Sequence, residues 1–574
     1  MVLIKLKKKY SVLSFFWQFL KPVFGSFLTI CLMNALSLIF ISLVNNFILE
    51  RFISAVEVND FKLAFMGALF SLLCWIYVEF LNFYGNYVGM DVSPPIECGI
   101  RVCTFDFIQG LSSNYLQKYG PGYLENLIDC LAEGIRECTE VLHDDIIPGF
   151  FLVLGTLIYF FSINIYLCLG SFLWVCLHIS LTYYLSENTV FYSKEHNRIG
   201  NERTKITMDF LKNYEIIQIY GQELFAKEKL HEVSVTEVEL YKKYLRSNSI
   251  AGVLCASVMI LFQGIFFGIV LMSMMKGLYA SKIFVLFNMN LWFVFLVWDY
   301  TKKALNMIQS YGQMIKSMEI INQSEVNELD GNILDIEDST IIFKNFSFHY
   351  ENNLILNNLN FQINKNEKIA FLGASGCGKS TLIKILSHLI PVNSGIYIGN
   401  HALQEYNTKA LRNQIAFVPQ ANDILDLSIK DNIMMNMSCT KEQFEHACDL
   451  GQVNTFINNL SNGMDTLAKY LSGGQKQRVN ITRSILHTLV YPNTKYIFLD
   501  EPVSALDSIT TQYIVNMVNE LSKNRILICI DHSLYFCKYM DKIAIFKQDK
   551  SIEVNTFDYF IETDKEFKQM FYGQ

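Results

Sequence analysis

The chain has 574 residues, 51% of them hydrophobic and 14% aromatic, with a mean hydropathy of +0.25. It is too long for a single domain and too apolar for an ordinary soluble protein, and a net charge of −7 gives no footprint for nucleic acid. Its 14 cysteines include no C-x-x-C pair, and Cys31, Cys74, Cys168, Cys176 and Cys255 lie inside apolar runs, so neither a zinc site nor a disulfide framework fits.

The start, Met1 to Lys9, is basic, but the apolar region after it is too long for a cleavable signal. No Asp, Glu, Lys or Arg occurs between Pro22 and Leu49, enough to cross a hydrocarbon core that takes about 20 residues. The same reasoning predicts spans over residues 22–49, 63–90, 146–162, 165–186, 247–275 and 283–305, with a tight turn near Ser162–Asn164. Lys5, Lys7, Lys8, Lys9 and Lys21 before the first span place the N-terminus in the cytoplasm. Six crossings then return the chain to the same side. Connections on the outer side are short, with about 13 residues expected after the first span. Those on the inner side, Asp91–Asp145 and Glu187–Arg246, read as helical extensions of the spans.

Three ionisable residues fall at or near membrane depth. Asp299 has Lys302 and Lys303 at i+3 and i+4, which predicts local pairing. Glu79 fits an acidic wall of a substrate path and an ordinary paired carboxylate equally well. His178 reads as a hydrogen-bonded interior residue.

Residues 324–339 are polar and acidic and read as a linker between a membrane domain (1–323) and a second domain (340–574). There, strand-like Thr340–Tyr350 is followed by Lys368–Leu372, an apolar run entering Gly373-Ala374-Ser375-Gly376-Cys377-Gly378-Lys379-Ser380-Thr381. This fits G-x-x-x-x-G-K-[ST] at every fixed position, with a strand before it and helical spacing after it. Glycines let backbone N–H groups close around phosphate, and the helix start adds its positive dipole end. Lys379 can reach the β- and γ-phosphates, and Ser380 can ligate Mg²⁺.

Further on, Gln414–Gln420, Tyr496–Glu501 and Ile526–His532 read as strands, so the core is α/β on a parallel sheet. Asp500 can hold the Mg²⁺ shell and Glu501 can take the proton of an attacking water. Gln420 can touch metal or water, His532 can bond the γ-phosphate, and the ring of Tyr350 can stack on adenine. Leu471-Ser472-Gly473-Gly474-Gln475 runs straight into a helix, a second anion site in a domain that needs only one. The second makes sense if it closes over the nucleotide of a partner subunit.

With these residues in view, the chain resembles an ABC transporter of the exporter type, a half-transporter with six membrane helices ahead of one ATPase domain. The resemblance implies a multi-domain fold: an all-α polytopic membrane domain with long cytoplasmic extensions, then an α/β P-loop ATPase domain. By that resemblance Gly373–Thr381 is the Walker A loop and Tyr496–Asp500 the Walker B strand. Glu501 is the general base, Gln420 the Q-loop, Leu471–Gln475 the signature, Asp507 the D-loop, His532 the switch histidine and Tyr350 the adenine-facing aromatic. Leu111–Leu124 and Met208–Glu223 resemble the two intracellular coupling segments, with Asp209 where the family usually has Glu. It further implies ATP and Mg²⁺, a second half-transporter as partner (the same chain or a different one), contact with membrane lipids, and a bacterial inner membrane with the ATPase domain in the cytoplasm. The cargo is open among small molecules, lipids and peptides; no nucleic acid is expected.

One departure stands out. Gly463–Tyr470 runs directly into Leu471, about four residues shorter than the family's T-x-V-G-E-x-G segment and without its Gly-Glu pair. Two other readings remain at this stage: an importer or ATP-gated channel with exporter architecture, and a soluble ABC ATPase of the chromosome-maintenance kind. Six membrane spans and the absence of a basic patch argue against the latter.

Overall fold

A computed structural model describes residues 11–111, 113–275, 279–323, 331–350, 353–392, 394–420, 424–503, 506–531, 537–547 and 549–572. Lys5–Lys9, Ser504 and the first part of the expected linker, 324–330, lie outside them. The chain divides into two compact units: Met1–Gln109 with Tyr119–Ser324, and Gly110–Lys118 with Glu325–Gln574.

Among the described residues the first unit has six helices long and apolar enough to cross a membrane: α1 Val12–Glu57, α2 Phe61–Gln109, α3 Pro121–Ile163, α4 Ile165–Lys212, α5 Glu223–Met274 and α6 Ser281–Asn322. Large side chains such as Phe65, Phe83, Leu173 and Leu261 stand out from them, as lipid-facing residues do and water-facing ones rarely would in this number. The helices overrun the spans read from hydropathy. After the first span only Val58–Asp60 separates α1 from α2, not the expected 13 residues, because charged Glu50, Arg51 and Glu57 continue the helix instead of ending it. Asn164 caps α4 by accepting from Tyr166 N–H at 2.9 Å, which fixes the predicted turn.

Apolar contact alone cannot choose partners in lipid, so polar pairs matter more. Asn288 on α6 donates to Asn46 on α1 at 2.7 Å, Ser71 on α2 to Asn45 on α1 at 2.7 Å, and Ser37 on α1 to Asn82 on α2 at 2.7 Å. Turns of π-helix interrupt α1 at Phe40–Val44 and α3 at Val141–Ile146. Asp299 is paired as expected, with Lys303 at 3.0 Å, and the same ammonium reaches Asp145 on α3 at 2.8 Å. His178 is interior as expected: it is buried and stacked between Trp174 and Trp298, and its Nδ1 has no hydrogen-bond partner.

The second unit contains two sheets. Strands β1 Ile341–Tyr350, β2 Asn353–Ile363, β3 Lys368–Gly373, β4 Ile396–Ile398, β5 His401–Ala402, β6 Ile415–Val418, β7 Tyr496–Asp500, β8 Ile526–Ile530, β9 Lys542–Phe546 and β10 Ile552–Asn555 follow in chain order. The larger sheet runs β10-β9-β3-β8-β7-β6, parallel except at the β9–β10 edge. β7 and β8 are buried along their whole length, which explains why they read as continuous apolar runs instead of alternating. The smaller, antiparallel sheet, β2-β1-β4-β5, was not separated in the sequence reading. The helices that matter for the site are α7 Lys379–Leu386, α8 Gly473–Val490 and α9 Ser508–Leu521.

This unit buries a histidine in the neutral form. His388, 3% exposed, uses Nε2 against the Leu403 carbonyl at 2.8 Å, and burial pulls its pKa down to about 4. An unfolded histidine titrates near 6.5, so between pH 6.5 and 4 the unfolded chain binds the extra proton and stability falls with pH. The loss attributable to His388 is about 2 kcal/mol at pH 5. Thermal unfolding of the full chain at pH 7.5 and 5 checks this: His388→Gln should show a shallower slope, and identical slopes would count against it.

Candidate functional site

Parallel α/β sheets bind ligands beyond the carboxyl ends of their strands, and Lys379, Ser380, Gln420, Asp500 and Glu501 gather there. β3 ends at Gly373, and the chain turns through Ala374–Gly376, all exposed, into α7. Gly378, at φ +102°, precedes Lys379 and has no room for a side chain: a Cβ would lie 2.9 Å from Ile355 and 3.0 Å from Leu356. Lys379 is 6% exposed, and its Nζ donates to the carbonyls of Gly373 at 2.6 Å and Ala374 at 3.0 Å. The ammonium is therefore already centred in the loop. Cys377 is half-buried beside it, with Sγ 3.7 Å from Nζ.

β7 delivers the carboxylates. Asp500 is 6% exposed and hydrogen-bonded by Ser380, yet its Oδ1 has no partner. Burial raises its pKa above the usual carboxylate range, with Ser380 opposing the shift. A buried oxygen without a partner, next to a hydroxyl at the head of the phosphate loop, suits the hard oxygen chemistry of Mg²⁺. Among the described residues no group of three or more His, Cys, Asp or Glu is placed to hold a metal ion by itself.

Glu501 sits at φ +51°, a left-handed backbone that a glutamate adopts only under constraint. Its N–H donates to the Ile530 carbonyl at 2.8 Å, and Gln477 Nε2 donates to its own carbonyl at 2.8 Å. Gln420, just past β6, donates to Glu501 Oε1 at 2.8 Å. The sequence reading brought Gln420 and Glu501 into one site but missed Gln477. That residue, 2% exposed, ties the α8 segment to the carboxylate backbone. No spacing rule marks a glutamine there.

Ser472 caps α8. Its hydroxyl accepts from Gln475 N–H while the Gln475 side chain accepts from Ser472 N–H at 3.0 Å. Ser472 and Gly473 are exposed, and among the described residues no hydrogen bond joins Leu471–Gln475 to Gly373–Thr381. Asp507 caps α9, accepting from Thr510 N–H at 2.9 Å and from its hydroxyl at 2.8 Å. Tyr350 ends β1 and packs edge-on against Phe348 at 5.1 Å. His532 lies outside the described residues. The short segment before α8 is tied to the chain through Ile429 N–H to Thr466 O (3.0 Å) and Ala468 N–H to Leu427 O (2.9 Å).

Residues 28–297 match the family model for the ABC transporter transmembrane region, and residues 356–504 the model for the ABC transporter itself. The chain belongs to the ABC transporters. The two matches stand in the order membrane helices first, ATP-binding domain after. A solved structure of a bacterial Atm1-family ABC exporter with ATP bound superposes with a TM-score of 0.86 at 20% identity, covering 97% of this transporter and 99% of that chain, so the fold is the same. The heavy metal tolerance factor 1 of Caenorhabditis elegans is 27% identical over 489 residues, 82% of the transporter and 60% of that protein's length. A Staphylococcus aureus ATP-binding/permease protein provisionally named for multidrug export is 36% identical over 231 residues, 39% of each chain.

Proposed function

We propose that the chain is one half of an ATP-driven exporter, working as a homodimer in which each phosphate loop faces the α8 cap of the other subunit. The observation that carries this reading is the α8 terminus: a capped, exposed helix start that, among the described residues, makes no hydrogen bond to its own chain's phosphate loop. Helix N-termini of this kind favour phosphate.

In this reading Lys379 and the loop N–H groups hold the triphosphate of ATP, and Tyr350 stacks on adenine. Ser380, Asp500 and Gln420 would hold Mg²⁺, which supplies neutralisation of the charge on the phosphate oxygens. Glu501 takes the proton of the attacking water, its carboxylate oriented by Gln420 and its backbone by Gln477. His532 bonds the γ-phosphate, and Asp507 lies at the subunit interface. The short helices Ser113–Tyr119 and Tyr214–Ile219 carry the movement to the membrane helices. The ATPase domain and N-terminus face the cytoplasm of a bacterial cell membrane.

Direction is tested in inside-out vesicles with ATP added outside, using heavy metals and a panel of drugs as cargo, after the words "heavy metal" and "multidrug" in its relatives' names. ATP-dependent uptake supports export; uptake only into right-side-out vesicles loaded with ATP would make the transporter an importer. Cys377 offers a second check. Alkylation should reduce ATP turnover more than tenfold, since a bulky thioether 3.7 Å from the Lys379 ammonium fills the phosphate cradle, and ATP should protect. Full turnover of the alkylated protein would mean the phosphates sit elsewhere.

A further inference from the structure

The membrane unit contains a cavity of about 250 Å³ between α4, α5 and α6. It is smaller than the roughly 300–1,000 Å³ of drug-sized sites. Two of its lining residues, His178 on α4 and Trp298 on α6, belong to a longer column of flat groups that extends beyond the cavity. Phe262 stacks on Trp174 at 4.9 Å, Trp174 on His178 at 5.3 Å, and His178 on Trp298 at 5.5 Å, with interplanar angles of 18°, 22° and 29°. The Lys302 ammonium closes the column 5.1 Å from the Trp298 ring.

The charge of the lining is one-sided. Lys302 is its single formal charge, with no Asp, Glu or Arg among the lining residues. Asp299, one turn away, is engaged by Lys303 at 3.0 Å, and among the described residues Lys302 makes no ion pair. Neutral hydrogen-bonding groups complete the wall, including Thr182, Asn248 and Asn306. Thr182 is satisfied, donating to the His178 carbonyl at 2.7 Å and touching Cys255 Sγ at 3.5 Å. The His178 ring is not: Nδ1 is buried with no partner, a state that a hydrogen bond from an occupant would relieve.

We propose that this cavity is a binding site for a small amphipathic organic anion with a planar ring, the ring lying against the Trp298–His178 column and the anionic group on Lys302. A cation is disfavoured by Lys302 and finds no carboxylate to pair with. A long flexible peptide exceeds the volume. Edge-to-face contact with the rings of such a stack is one of the arrangements that aromatic pairs favour. The site's purpose, holding cargo, rests on the transport reading above, but its occupancy does not.

Three probes with one ring system and different charge separate these possibilities: 1-naphthylacetate, 1-naphthylacetamide and 1-naphthylethylamine. Equilibrium binding is measured to the full-length transporter in phosphatidylcholine nanodiscs without ATP, so failure of ATP-driven export would leave the result untouched. The anion should bind about tenfold more tightly than the amide, the low end of what a charge-assisted hydrogen bond gives, and the amine most weakly. Lys302→Gln should bring acetate and acetamide together, Lys302→Glu should invert the order, and Trp298→Leu should weaken all three alike. Equal binding of the three probes, or an order unchanged by both Lys302 variants, overturns the proposal. So does loss of probe binding when phosphatidylglycerol is added, which would make the occupant a lipid headgroup.

Discussion

Glu501→Gln is expected to lower steady-state ATP turnover by about 10²–10⁴-fold, the range a positioned general base contributes, while ATP binding is retained. The substitution keeps the shape of the side chain and removes the group that takes the proton. It also leaves Gln420 facing an amide where it now donates to a carboxylate oxygen at 2.8 Å. The backbone need not move, because φ +51° at residue 501 is held by Ile530 and Gln477 through main-chain atoms. Stoichiometric ATP should therefore remain bound and be recoverable unhydrolysed. Undiminished turnover would remove Glu501 from the base's role and point to activation of water by the phosphate itself.

Gly474→Asp should cost at least as much turnover by a different route. The α8 terminus offers exposed N–H groups and a positive dipole end, and a carboxylate there opposes the triphosphate it is meant to receive. Nucleotide binding to the loop of the same chain should stay within about twofold, since Gly373–Thr381 makes no hydrogen bond to this segment among the described residues. Filter binding of labelled ATP next to turnover separates the two effects. Equal loss of binding and turnover would mean that the α8 cap serves its own chain's nucleotide.

The parts of the molecule legible in the sequence are those dictated by local chemistry. Gly373–Ser380 is legible because phosphate needs that order of glycines and Lys-Ser, and β7 and β8 because a strand buried on both faces must be apolar throughout. The six helices follow from charge-free length, though not their ends, since charged residues continue a helix into water as readily as they end one. What escaped depends on residues far apart in the chain. Asn46 and Asn288 meet across 242 positions, Lys303 reaches Asp145 across 158, and neither choice of partner leaves a periodic trace. Gln477 escaped for a related reason: it looks like any helix residue until α8 is laid beside Glu501. His178 is interior as its place in an apolar run suggests, but that the flat faces of Trp174 and Trp298 pack against it leaves no trace in the spacing.

A composite ATP site, with the loop from one chain and the α8 cap from the other, has a direct test in mixed dimers. One chain carries Lys379→Ala, its partner Gly474→Asp. Each homodimer has two broken sites. If the sites form across the interface, the mixed dimer has one site with both defects and one with none, and turnover should return to as much as half that of the unmodified transporter. If each site is built within a single chain, both sites of the mixed dimer are broken. A mixed dimer, purified by two affinity tags, that hydrolyses no more ATP than either parent would contradict the composite site.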